Sequence, residues 1–194
     1  MGDDMSYKRV VRVKVTLLGD LGVGKTTFAK AYLGGKPISD VSYKPTIGAD
    51  IFIKEGIYDI EDFGKVKVIW DIWDLSGQKA FRSICGAFLK GAICGIVVFD
   101  VSRENTLKNL LMWVDSFVKN AGKKPLIIVG NKIDLREKGI QCISSDVGRR
   151  FTEDLSKRMG ISIPYVETSA LYNINVEEAF RRLAIQVIRH LLLE

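Results

Sequence analysis

One histidine, three cysteines and four prolines in 194 residues leave several chemistries without material. The single histidine, His190, lies four residues from the C-terminal end of the sequence, on an expected helix. A Ser-His-Asp or Cys-His mechanism would have to be built around that far end, so it reads as a solvated helix-end side chain. Cys85, Cys94 and Cys142 are scattered and odd in number, which excludes a disulfide scaffold and offers no zinc spacing. No uncharged apolar run approaches the roughly 18 residues of a membrane span. Met1-Gly2-Asp3-Asp4 is acidic and opens no apolar signal stretch, so the chain is expected to be made and kept inside a cell. Met1-Gly2…Ser6 has the outline of a myristoylation site, which Asp3 and Asp4 make unfavourable beside an anionic membrane. The charge excess is +6, but Lys and Arg cluster no further than short pairs. That is a mixed solvated surface, and no nucleic-acid partner is expected.

Apolar residues make up 47% and charged residues 27%, the balance of a folded domain. The length suits one domain, residues 10–194, behind a short tail at 1–9. Val10–Leu18 alternates Val11, Val13, Val15 and Leu17 with Arg12, Lys14 and Thr16, as a strand does. A Gly-rich turn, a short helix ending near Gly34 and a loop with Pro37 and Pro45 follow. Ile47–Ile60 and Val66–Trp73 read as an antiparallel pair around a short turn. Ala92–Asp100 and Pro125–Val129 are continuous apolar strands of the doubly buried kind. Helices are expected at 104–120 and 145–159, and a last strand near Pro164–Glu167. Phe180, Leu183, Ala184, Val187, Ile188, Leu191 and Leu192 then form one helical stripe. Strands alternating with helices predict an α/β fold with a mostly parallel, doubly wound sheet.

Gly19-Asp20-Leu21-Gly22-Val23-Gly24-Lys25-Thr26 follows a strand and opens a helix. This is the G-x-x-x-x-G-K-[ST] pattern, whose backbone N–H groups curl around phosphate oxygens. Lys25 can reach the outer phosphates, and the Thr26 hydroxyl can ligate Mg²⁺. Asn131-Lys132-Ile133-Asp134 sits just past a strand end. A carboxylate at Asp134 can accept from guanine N1–H and its exocyclic amine, whereas adenine would leave it unpaired. Asn131 and the stem of Lys132 can hold and cover the ring. Asp74, in Asp74-Leu75-Ser76-Gly77-Gln78, can hold Mg²⁺ through water, and Gly77 can offer its N–H to a γ-phosphate. Thr46 is a candidate second hydroxyl ligand.

Together these residues resemble the Ras superfamily of small GTPases, from about residue 10 to the end. YKPTIGAD at 43–50 and IWDLSGQKAFRSI at 72–84 are most similar to Rab proteins. The resemblance implies a P-loop NTPase domain with a six-stranded sheet, order 2-3-1-4-5-6, strand 2 antiparallel, and helices on both faces. It implies GTP/GDP and Mg²⁺ as cofactors, with Thr26, Thr46 and Asp74 around the metal. Nucleotide contacts would come from Gly19, Leu21, Gly22, Val23, Gly24, Lys25, Thr26, Thr27, Tyr43, Thr46, Gly77, Asn131, Lys132, Asp134, Ser169, Ala170 and Leu171. The Ala170 N–H would meet the guanine oxygen, and Gln78 would orient the attacking water. Exchange factors, activating proteins and effectors would meet the switch loops, with Ile51, Trp73 and Phe88 as a hydrophobic patch; ordinary core packing is the other use of those three.

Three features depart from the family. Leu21 stands where a small residue is usual, Leu75-Ser76 replaces Thr-Ala, and no cysteine ends the sequence for prenylation. The last of these suggests either a truncated chain or a prokaryotic, archaeal-type relative. The expected activity is slow GTP hydrolysis, about 10⁻⁴ to 10⁻² s⁻¹ without a supplied arginine. A GTP-binding scaffold with vestigial hydrolysis is the alternative. A cytoplasmic place is expected, with peripheral membrane contact left open.

Overall fold

The computed structural model describes residues 7, 9–34, 46–78 and 82–193, without the side chains of 82–84. Its elements run β1 (Arg9–Leu18), α1 (Lys25–Tyr32), β2 (Ala49–Ile60), β3 (Gly64–Leu75), α2 (Arg82–Leu89), β4 (Cys94–Asp100) and α3 (Glu104–Lys108). They continue with α4 (Leu110–Ala121), β5 (Leu126–Asn131), α5 (Asp134–Glu137), α6 (Ser145–Met159), β6 (Tyr165–Thr168) and α7 (Val176–Leu193). The strands form one six-stranded sheet in the expected order, β2-β3-β1-β4-β5-β6. Among the strand pairs of the described residues only β2–β3 is antiparallel, closed by the turn at 61–63.

Two cores flank the sheet. Val13, Val15 and Leu17 of β1 face one side, where α1 and α7 pack; Leu18 joins the other, with α2 and α4. All seven residues of β4 are buried, as its continuous apolar run requires. On the first side Tyr32 stacks on Phe180 with ring centroids 3.5 Å apart. The Tyr32 and Tyr58 hydroxyls hydrogen-bond at 2.6 Å, and Trp70 Nε1 donates to Tyr58 Oη at 3.0 Å. Each aromatic thus buries its body while its polar tip is satisfied. The α7 stripe buries Phe180, Leu183, Ala184, Val187 and Ile188; Leu191, beyond the sheet, is 39% exposed. Helix α6 starts at Ser144, whose side chain accepts from the Val147 N–H, and stops at left-handed Gly160.

The helix expected over 104–120 is divided at Asn109, whose side chain reaches sideways to Asp20 at 2.7 Å. Among the described residues, no helix is long and apolar enough to cross a membrane.

Candidate functional site

Residues 19–24 join the central strand β1 to α1, at the C-terminal edge of the sheet. Gly24 caps α1 with φ +99°, and a Cβ there would come within 2.4 Å of Asn131 Nδ2. Only glycine permits both that backbone and that approach. The loop's carbonyls are committed to hydrogen bonds. Lys25 Nζ donates to Gly19 O at 2.8 Å and to Asp20 O at 3.0 Å. Arg103 Nη2 donates to Leu21 O at 3.1 Å, Asn131 Nδ2 to Val23 O at 2.9 Å, and the Phe28 N–H to Gly24 O at 2.8 Å. Turning the carbonyls outward leaves the N–H groups to line the inner side, which is how a backbone nest receives an anion. Lys25 is buried, and burial lowers its pKa to about 8 against the opposing pull of Asp74 and Asp20.

Thr26 opens α1, Asp74 lies near the end of β3 and Thr46 just precedes β2. Thr26 Oγ1 donates to Asp74 Oδ2 and hydrogen-bonds Thr46 Oγ1 at 2.9 Å. Asp74 is fully buried, and its Oδ1 has no hydrogen-bond partner. Burial raises the Asp74 pKa, with the Thr26 hydroxyl and Lys25 opposing. Two hydroxyls beside a buried carboxylate with an uncommitted oxygen suit a hard divalent cation. Among the described residues there is no cluster of three or more His, Cys, Asp or Glu that could hold a metal. Two hydroxyls with one carboxylate fit Mg²⁺, which uses few carboxylates and shares its shell with phosphate oxygens.

Gly77 lies directly on the phosphate loop. A Cβ there would stand 2.5 Å from Asp20 C and from Leu21 N. Leu75 is fully buried in the second core, and Ser76 ties its N–H to Gly48 O at 2.9 Å. The Gln78 N–H donates to Ser76 Oγ at 3.3 Å. Leu21 is 41% exposed at the loop tip. Asp20 accepts from Asn109 Nδ2 at 2.7 Å and from Trp113 Nε1 at 2.9 Å, fixing the loop to α4.

Beside the loop is a cavity of about 210 Å³ lined by Gly24, Thr27, Asn131, Lys132, Asp134, Leu135, Lys138, Ala170 and Leu171. Asp134 is buried at its edge and accepts from Ser169 Oγ at 2.6 Å. Asn131 is a hub: besides Val23 O, its Oδ1 accepts from Thr168 Oγ1 at 3.1 Å and from the Ala170 N–H at 3.0 Å. That N–H was expected on the guanine oxygen; here it goes to the amide acceptor beside it. Lys132 adopts φ +71° and ion-pairs with buried Asp100 at 2.7 Å. Leu135 and Lys138 were not anticipated, because only the turn of α5 folds them over the cavity. Tyr43 lies outside the described residues. The other expected residues cluster into three adjoining sets: loop, hydroxyl–carboxylate group and cavity.

Ile51 is 54% exposed and pairs in register with Trp73. Trp73 and Phe88 approach to 6.4 Å between ring centroids, both partly buried against the second core. Lys14 Nζ lies 3.9 Å from the Trp73 ring centroid. Trp73 and Phe88 are thus partly core, whereas Ile51 is exposed.

Comparison with known proteins agrees with this arrangement. The sequence model of the Ras family matches residues 14–189. The chain is 38% identical over 185 residues to the Ypt/Rab-type GTPase avaA of Emericella nidulans, covering 93% of this chain and 84% of that one. It is 38% identical over 190 residues to the Ras-related protein Rab-7a of Dictyostelium discoideum, covering 95% and 87%. The GTP-binding protein yptV5 of Volvox carteri is 41% identical over 184 residues, covering 91% and 82%. The chain belongs to the Ras family and is a Rab-like small GTPase, a switch that binds GTP and GDP with Mg²⁺ and hydrolyses GTP to GDP.

Proposed function

We propose that the switch in this chain is worked by Thr46, Gly77 and Gln78 closing on a nucleotide held by the loop at 19–27 and by the base cavity. The observation that carries this reading is the Thr26–Thr46–Asp74 cluster, which ties the segment before β2 and the end of β3 to the start of α1. In it Thr26, Thr46 and Asp74 would hold Mg²⁺, which would supply neutralisation of the phosphate charge. Lys25 and the loop N–H groups bind the phosphates, and Asp134 reads the base with Ser169, Ala170 and Leu171 beside it. Gln78 orients the attacking water. Catalysis is positioning and charge stabilisation, with no covalent intermediate. Loss of the γ-phosphate releases Thr46 and Gly77, and the change in these segments is the signal.

Family partners that exchange nucleotide, stimulate hydrolysis or receive the signal meet the switch segments. Ile51, Trp73 and Phe88 are the part of that face we assign to them. Their support is a partly buried aromatic pair beside an exposed isoleucine. We place the activity in the cytoplasm, with any membrane contact peripheral, and treat residues 10–194 as one switch domain.

Tryptophan fluorescence tests the switching. Replacing GDP by a non-hydrolysable GTP analogue should change the emission of the parent protein. The change should vanish in Trp73→Phe and shrink strongly in Thr46→Ala. An identical spectrum in both nucleotide states would remove Trp73 from the responding surface.

Leu21 bears on the rate. Its isobutyl group is 41% exposed on the phosphate loop, and in the proposed reading it crowds the place where Gln78 and a partner's arginine would meet the γ-phosphate. Misplacing a catalytic group by about 1 Å can cost on the order of a hundredfold. Leu21→Gly should therefore raise single-turnover hydrolysis roughly tenfold. GDP affinity should be nearly unchanged, because the phosphate contacts are backbone groups. A glycine variant no faster than the parent would clear Leu21 of the slowing.

A further inference from the structure

The five held carbonyls of the phosphate loop have four holders, and one of them belongs to no nucleotide motif. Gly19 O and Asp20 O are held by Lys25, Val23 O by Asn131 and Gly24 O by the helix itself. Leu21 O alone is held from the loop after β4, by Arg103 Nη2 at 3.1 Å. The root of that arm is rigid. Arg103 Nε donates to Asp100 Oδ2 at 2.9 Å, and Asp100 is 1% exposed. The same carboxylate accepts from the Ser102 N–H at 3.0 Å and from Ser102 Oγ at 2.6 Å. The turn is locked again by Thr106, whose Oγ1 accepts from the Asp100 N–H at 3.0 Å and donates to Arg103 O at 2.7 Å. A planar guanidinium can bond the carboxylate and the loop carbonyl together, each from a different nitrogen. A lysine has one nitrogen and cannot brace both in this fixed fork.

The carbonyl that Arg103 holds belongs to the Leu21–Gly22 peptide, next along the chain from the peptide on which Gly77 rests. The nearest atoms to a Cβ on Gly77 are Asp20 C, Leu21 N and Asp20 O, at 2.5, 2.5 and 2.7 Å. These belong to the peptide joining Asp20 to Leu21, whose carbonyl is held by Lys25, whose Asp20 end is fixed by the Asn109 and Trp113 contacts to the Asp20 carboxylate, and whose Leu21 end is fixed by Arg103. Asp100 also pairs with Lys132 at 2.7 Å, so one buried carboxylate serves both the base cavity and the phosphate loop.

We propose that Arg103 is a positioning residue for GTP hydrolysis: by holding the Leu21 carbonyl it anchors the Leu21 end of the Asp20–Leu21 peptide, so that Gly77, and with it Gln78, closes in register on the γ-phosphate. This rests on the roles assigned above to Gly77 and Gln78. Arg103 touches the loop at a carbonyl on its outer side, so it contributes little to holding GDP. Its effect falls on the closed, hydrolysing arrangement.

The test is single-turnover hydrolysis of GTP-loaded protein, with GDP affinity and thermal midpoint measured on the same samples. Arg103→Ala should hydrolyse on the order of tenfold more slowly, with GDP affinity within about threefold of the parent and a thermal midpoint nearly unchanged. Arg103→Lys keeps the charge and the Asp100 pair but loses the fork, and should stay close to the alanine rate. Full recovery with lysine would overturn the strut, since charge alone would then suffice. Hydrolysis, GDP affinity and thermal midpoint falling together would overturn it too, as the mark of a merely structural residue. Gln78→Leu run alongside separates this from the reading beneath it. Hydrolysis lost in Gln78→Leu but retained in Arg103→Ala overturns the strut alone.

Discussion

Asp134→Asn should change the base that the cavity accepts. GTP and GDP affinities should fall by roughly 10⁴-fold, the scale on which a site built for one hydrogen-bonding pattern rejects another. Xanthine nucleotides should gain in the same variant. Guanine presents two donors, N1–H and the amine at C2, to a carboxylate that only accepts. Xanthine keeps N1–H but carries an oxygen at C2, which the Asn amide can donate to and the carboxylate cannot. The substitution is sterically neutral, and the new side chain can still accept from Ser169 Oγ as Asp134 does now at 2.6 Å. Competition of labelled GDP with unlabelled GDP and xanthosine diphosphate, in parent and variant, measures both changes. Unaltered GDP binding would take Asp134 out of the base site.

Gly77→Ala should separate the two nucleotide states. The added methyl would lie 2.5 Å from Asp20 C and Leu21 N, which are backbone atoms that cannot swing aside as a side chain would. Something has to move by about an ångström, and the free partner is the segment after β3. Affinity for a GTP analogue should drop at least tenfold relative to GDP, and hydrolysis on the order of a hundredfold. Stopped-flow dissociation of fluorescent GDP and of the matching GTP analogue reads the first, and single-turnover hydrolysis the second. Equal retention of both nucleotides in the variant would show that closure does not pass through Gly77.

Which parts of this site are readable in a sequence follows from how they are built. The phosphate loop, NKID and DLSGQ are contiguous strings, because each is a strand end running straight into a turn. The mostly parallel, doubly wound sheet was legible in the alternation of continuous apolar strands with helices, and its strand order only in the family resemblance. The break at Asn109 was not, since nothing in 104–120 announces that its amide is drawn to Asp20. Arg103 was invisible for the same reason. It is an ordinary charged residue at a helix start until β4 brings it beside a carbonyl 82 positions earlier. Lys138 and Leu135 enter the base cavity only through the short turn of α5. Trp73 and Phe88 are not sorted by a periodicity argument because they are only partly buried against the core, while Ile51 in the neighbouring register position is exposed.

The central claim is that this chain is a switch that turns itself off by hydrolysis, with Gln78 orienting the water. Single-turnover hydrolysis of protein loaded with GTP, in parent and in Gln78→Leu, tests it most directly. The parent should convert bound GTP to GDP at about 10⁻⁴ to 10⁻² s⁻¹. Gln78→Leu should hold GTP as tightly as the parent and hydrolyse it at least tenfold more slowly. A variant that hydrolyses at the parent's rate, or a parent in which bound GTP persists unchanged, would contradict the account and favour a nucleotide-bound scaffold.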